Sequence, residues 1–288
     1  MLKKDSLNIA VSSMTNADSF IKEGAYAAMK KLKEAGLYSV EISQHIQFDE
    51  KCVEEILHAQ DEFDMDICAL SVRFNGTIPW GLPYIKHGET ILKTYSAEDD
   101  FHRIVDYCHK FKCRYIRFAT LPGRQMYDMT DVKKYMASLE ECCRRYEAEG
   151  ITMCIHNHAD EFLRMEGKWI LDWALELAPS LCYEIDCLNA QKSGIAPSSL
   201  IRRCGERTKL LHLQDLRIAP ADPQVPVMMG PEIYQGTWLG DGNMDFAEII
   251  KAAKEAAADY LIIEQAQFYG EDLYACIRRS NGYLQKLV

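Results

Sequence analysis

What this sequence lacks narrows the reading first. It has no apolar run of about 18 residues, so nothing in it predicts a membrane-spanning helix. No CxxC pair occurs among its 11 cysteines, an odd and scattered set that reads as reduced thiols packed as small hydrophobes, not as a disulfide or zinc framework. Lysine and arginine form no run that would mark a basic patch, and a formal net charge of −10 repels polyanions. No GxGxxG follows the first predicted strand, so the dinucleotide-binding alternative is without its usual mark. The opening stretch MLKKDSLNIAVSSM is too polar for a signal peptide and reads as a strand. Together these absences predict a cytoplasmic protein that meets neither nucleic acid nor membrane.

What is present is an ordinary globular balance, with 48% hydrophobic and 26% charged residues over 288 positions. Eight short β-rich runs alternate with longer amphipathic segments. The runs are Leu7–Ser12, Ser39–Ile42, Asp66–Val72, Tyr115–Ala119, Thr152–His156, Leu181–Asp186, Lys209–Leu213 and Tyr260–Glu264. Several are apolar almost throughout, as strands covered on both faces are. The helical periodicity lies over Ala17–Ala35, Asp49–Phe63, Glu98–Phe111, Asp128–Glu149, Lys168–Leu177, Ser198–Cys204, Met244–Ala258 and Glu271–Leu287. Eight strand–helix repeats without a linker predict one (β/α)₈ TIM barrel domain over residues 1–288. Two connections, Arg73–Ser96 and Asp215–Asn243, are long enough to be functional covers. Trp80 and Trp238 within them are candidates to stack on a sugar face, with loop packing as the alternative.

Polar residues gather at the ends of the later runs. Run five ends CIHNHADEF, with His156, His158 and Glu161. Run six ends YEIDC, with Glu184 and Asp186. Run seven ends LLHLQD, with His212, and run eight ends LIIEQ, with Glu264. Each alone has a bland reading: a hydrogen-bonded turn, a helix cap or a satisfied core histidine. An unsatisfied polar group among Leu and Ile costs roughly 2–7 kcal/mol, however, and four consecutive strands repeat the placement. Two imidazoles and two carboxylates converging at a barrel mouth make a mixed N/O set suited to a divalent first-row metal.

At these residues the sequence resembles the xylose isomerase-like barrel superfamily of sugar isomerases and epimerases, with AP endonuclease family 2-like relatives. The marks are VEIS at 40–43, HNHADEF at 156–162, EIDCLNAQKSG at 184–194, HLQD at 212–215, LGDGNMDF at 239–246 and IIEQ at 262–265. The resemblance spans essentially the whole chain and implies one divalent ion, Mn²⁺ ahead of Zn²⁺, Fe²⁺ or Co²⁺, held by His156, Asp186, His212 and Glu264. Many members carry Glu at the position of His156, so which of His156, His158 and Glu161 reaches the metal stays open at this stage.

The expected chemistry is α-proton abstraction from a small keto-sugar through a metal-stabilised enediolate, giving an isomer or epimer. Glu264, His158 and Glu161 are the candidate proton-transfer groups. Glu41, His45, Trp80, Arg117, Arg217 and Trp238 are candidate substrate contacts, and for Arg117 a barrel-interior ion pair is the alternative. A second reading is a lyase resembling inosose dehydratase or a C-glycoside deglycosidase. An endonuclease IV-like repair enzyme would need a trinuclear zinc cluster with more histidines and a basic groove, and eight histidines in all with a charge of −10 argue against it. A non-catalytic binding barrel is the remaining class, and pairing into a homo-oligomer is a further expectation.

Overall fold

The computed structural model describes residues 7–44, 46, 48–74, 84–87, 90–119, 121, 126–218, 234–265 and 270–288. Eight parallel strands close into a barrel: Asn8–Ser12 (β1), Ser39–Ile42 (β2), Asp66–Val72 (β3), Tyr115–Ala119 (β4), Thr152–His156 (β5), Cys182–Asp186 (β6), Thr208–Leu213 (β7) and Tyr260–Ile263 (β8). Each pairs with the next in chain order and β8 closes on β1, with Asn8 opposite Tyr260 and Val11 opposite Ile263. Every strand begins and ends within one residue of the run that its apolar pattern marks. No described helix is long and apolar enough to cross a membrane.

Three layers fill the barrel, because alternate residues of each strand face inward. At the N-terminal end the rings of Tyr115 and Tyr260 meet edge to face at 6.3 Å. Tyr115 donates its hydroxyl hydrogen to Asp259, and Tyr260 donates to Asp66 at 2.7 Å. Above this floor lies a dry layer of Ala10, Ala69, Cys154, Leu210 and Ile262, none of them exposed to solvent. One step further along the strands the layer turns polar, with Ser12, Glu41, Ser71, Arg117, His156, Glu184 and His212 all buried.

Helical periodicity over Ala17–Ala35 resolves into two helices, Ala17–Glu23 and Ala25–Glu34. Gly24 separates them at φ 93°, a backbone that L side chains rarely adopt. The Glu55 carboxylate comes across from the neighbouring helix Glu50–Phe63 and accepts from Ala25 N at 2.7 Å, which caps the second helix. The two long connections are not bare loops. The first holds the two-stranded hairpin Tyr84–His87/Thr90–Lys93, and the second holds Asp215–Ile218/Tyr234–Thr237. The LGDGNM segment is fastened by Asp215, whose carboxylate accepts from Leu216 N at 2.8 Å, Gly240 N at 3.0 Å, Gly242 N at 2.9 Å and Met244 N at 3.1 Å. That motif is therefore a clasp, and Gly242 belongs to it because a Cβ there would lie 2.3 Å from Asp215 Oδ1.

Candidate metal centre

β5, β6, β7 and β8 each deliver one group to the mouth. His156 is the last residue of β5, Asp186 the last of β6, His212 the fifth of six in β7, and Glu264 follows β8. Each offers one ligand atom, and these four atoms all lie within 4.8 Å of one another. Asp186 performs two jobs with two oxygens. Its Oδ1 accepts from Asn189 N at 2.6 Å and caps the short helix Cys187–Lys192, while its Oδ2 lies 3.5 Å from His156 Nε2. The helix-cap reading and the ligand reading thus hold together. Asn157 braces this corner, accepting from Asp186 N at 2.9 Å.

The layer beneath orients both imidazoles. Glu184 Oε2 lies 2.9 Å from His156 Nδ1, so an ionised Glu184 would hold the proton there and leave the Nε2 lone pair on the Asp186 side. His212 is set the other way: its Nε2 faces Glu41 Oε2 at 3.1 Å and Glu184 Oε1 at 3.4 Å, while its Nδ1 faces Glu264 Oε2 at 3.0 Å. A carboxylate behind a ligating imidazole is the usual device for choosing its tautomer and raising its basicity. Arg117 stands between the two rear carboxylates, 2.7 Å from Glu41 Oε1 and 3.3 Å from Glu184 Oε2.

The charges in this cage set one another. Burial would raise Glu41, but Arg117 and His212 outweigh it and hold the carboxyl well below its ordinary range. Glu184 is pushed well above its range by burial and by the Glu41 charge. Burial likewise pushes Asp186 up to about 7, aided by Glu264. His212 is carried well above its usual value: burial opposes this, but Glu184, Glu41 and Glu264 prevail. Burial, His212 and Arg117 together drive His156 well below, and burial and Arg117 lower His158. Four carboxyl groups, Glu41, Glu184, Asp186 and Glu264, thus gather here, and the Arg117 guanidinium pairs with two of them, Glu41 and Glu184. A mixed N/O set with surplus buried carboxylate fits a divalent cation, which would displace the proton from His212 Nδ1 on binding.

The other candidate residues distribute as follows. His158 is half-buried, its ring 4.9 Å from that of His156. Glu161 is fully buried in the turn Asp160–Phe162 and accepts from the backbone N–H of Leu121 and, at 2.6 Å, of His158. It braces the loop that carries His158. Glu41 and Arg117 take the barrel-interior ion-pair position. Arg217 lies on the hairpin strand Asp215–Ile218, with Nη2 3.4 Å from Gln235 Oε1. Trp238 is 1% exposed and packs with the Arg279 guanidinium 5.9 Å from its ring centre. His45 and Trp80 lie outside the described residues. Glu184 carries no assigned role in the sequence reading, yet it touches both imidazoles. The signal for it is its place two residues before Asp186 on the same inward face.

The sequence profile of the xylose isomerase-like TIM barrel family matches residues 29–275. A search of curated proteins finds no match. Among solved structures, a sugar phosphate isomerase/epimerase from Parabacteroides distasonis superposes with a TM-score of 0.72 at 19% identity, covering 98% of each chain. An L-ribulose 3-epimerase gives 0.67 at 12% identity over 98% of this chain and 94% of that one. A "probable 3-DHS dehydratase" of petrobactin synthesis from Bacillus anthracis gives 0.66 at 13% identity, covering 97% and 99%. At these identities the likeness concerns the fold.

Proposed function

This chain belongs to the xylose isomerase-like TIM barrel family, and from that premise we propose that it is a divalent-metal-dependent isomerase or epimerase of a small keto-sugar. The observation that carries the reading is the convergence of the His156, Asp186, His212 and Glu264 ligand atoms within 4.8 Å at the ends of four consecutive strands. These residues would hold one ion, Mn²⁺ ahead of Zn²⁺, Fe²⁺ or Co²⁺. When bound, that ion supplies Lewis acidity toward a substrate carbonyl.

The chain's own groups account for the proton chemistry. Glu264 is the most open of the four, its side chain 19% exposed, and only Oε2 is committed to His212. It takes the proton from the carbon next to the carbonyl, the C–H pair forms the new C=C bond, and the carbonyl pair moves onto oxygen. Return of a proton to the same carbon from its opposite face gives an epimer; return to the former carbonyl carbon, with the α-hydroxyl giving its proton to the former carbonyl oxygen and becoming the new carbonyl, gives an isomer. His158 is the second proton carrier, since burial keeps its imidazole neutral. Glu161 holds the His158 backbone in place. A surface of net charge −10 suits a neutral polyol better than a polyanion.

A second reading is favoured by the neutral His158 imidazole beside His156. With a leaving group on the β-carbon, the same proton removal ends in elimination, as in a dehydratase or a glycoside lyase. One experiment separates these. Metal content is measured on protein purified without chelator, and a panel of keto-sugars and 3-keto-glycosides is incubated with it in D₂O. Deuterium at the α-carbon with epimer or isomer supports the first reading, and a released aglycone or lost water supports the second. Protein without metal that exchanges no substrate proton refutes both.

A further inference from the structure

Beneath the four-residue group lies a second one. Glu41, Glu184 and His212 also bring ligand atoms within 4.8 Å of one another. Glu41 Oε2 and Glu184 Oε1 face His212 Nε2, whereas Glu41 Oε1 and Glu184 Oε2 face the Arg117 guanidinium, with Glu184 Oε2 shared between Arg117 and His156 Nδ1. Two buried hydroxyls lie in the same layer. Ser12 Oγ lies 3.3 Å from Glu41 Oε1. Ser71, paired with Arg117 across β3 and β4, has a buried hydroxyl with no hydrogen-bond partner. Two carboxylate oxygens and two hydroxyls, nine-tenths or more buried, are the donor set of a hard divalent ion. Arg117 supplies positive charge there, but its Nε finds no hydrogen-bond partner. A guanidinium therefore neutralises this position without filling its hydrogen-bonding capacity.

We propose that Glu41, Glu184, Ser12 and Ser71 form a second cation position that this chain fills with its own Arg117, and that this guanidinium limits the centre to a single metal ion. The inference rests on the metal-dependent reading of the site above. It assigns Arg117 to charge at the rear of the centre and not to the substrate. A tethered cation neither dissociates nor exchanges, so the charge behind His156 and His212 stays constant at any metal concentration. Removing two charges from water here is repaid only by such a partner.

The test is the Mn²⁺ stoichiometry of three proteins at saturating Mn²⁺, by equilibrium dialysis and elemental analysis, with circular dichroism to follow folding. Wild type is expected to hold one ion per chain, Arg117→Met two, and the double variant Arg117→Met/Glu184→Gln one. An Arg117→Met protein that folds only with excess Mn²⁺ and then holds two ions is the same positive result. Electron paramagnetic resonance of that variant should show the broadened signal of coupled Mn²⁺ pairs, absent from wild type. Two ions in wild type overturn the proposal, as does one ion in folded Arg117→Met, or failure of that variant to fold at any Mn²⁺ concentration while the double variant folds. Wild type that holds no ion sinks the metal-dependent reading itself, an outcome distinct from these.

Discussion

Replacing Asp215 by alanine should unfasten the loop behind the candidate site, and the cost can be worked out from its contacts. The carboxylate accepts four backbone N–H groups, from Leu216, Gly240, Gly242 and Met244, at 2.8–3.1 Å. Hydrogen bonds to a charged group contribute about 1.5–3 kcal/mol each, but four on one carboxylate are not additive. Gly240 is exposed and Gly242 and Met244 are half-buried, so water can replace part of what is lost. Counting about two bonds at full value gives a loss of about 3–6 kcal/mol. At roughly 2 °C per kcal/mol for a chain of this size, the melting temperature should fall by roughly 6–12 °C. Limited proteolysis should move to the 216–243 region. Asp215→Asn keeps one acceptor and turns an NH₂ toward donors, so it should fall between wild type and alanine. A drop in melting temperature below about 2 °C, with unchanged proteolysis, would refute the clasp.

Asp186→Asn should leave the metal-free melting temperature nearly unchanged, because asparagine still caps the helix Cys187–Lys192, yet weaken Mn²⁺ binding by more than the roughly 10–100-fold carried by outer partners; calorimetric titration reads this. Glu161 gives a pH signature. Burial pushes it up to about 7 from an ordinary 4.5, so its folded-state stability is fully present below about pH 4.5 and is lost as pH rises through about 7, by about 3 kcal/mol; urea melts across that window should show the slope, and Glu161→Gln should remove its part. Gly24→Ala forces a strained backbone and a Cβ 2.5 Å from Glu55 Oε2, and should cost on the order of 1–3 kcal/mol in denaturant unfolding. Of the 11 cysteines nine are buried and two half-buried, and burial and Asp49 push Cys52 up to about 12, so a thiol reagent at pH 8 should react slowly with native protein and with all 11 thiols once it is unfolded.

The barrel strands were legible because both their faces are covered, so that short runs apolar almost throughout, such as YLII, stand out from amphipathic helices. The ligand-bearing positions were legible for a related reason: His212 and Glu264 interrupt runs that are otherwise apolar, and the interruption falls at the same end of each strand. What stayed hidden depends on partners distant in sequence. Gly24 breaks a helix because Glu55, 31 positions on, arrives to cap the second half. Arg117 stood between a substrate contact and a barrel-interior ion pair because nothing local shows that Glu41 and Glu184 face it from two other strands. The hairpins inside the long connections escaped because proline and glycine there outweigh a period-2 signal only four residues long.

The tyrosine floor has a consequence for isotope traffic. With Tyr115 and Tyr260 tied to Asp259 and Asp66, and a dry layer above them, solvent has no passage up through the described core of the barrel. Hydrons would then reach the mouth by the same opening through which a sugar enters on the proposed reading. A seated sugar would stopper that opening, so a hydron lifted from carbon could be handed back before bulk D₂O replaces it. Turnover should accordingly outpace label uptake, and the shortfall would measure how tightly the sugar corks the barrel.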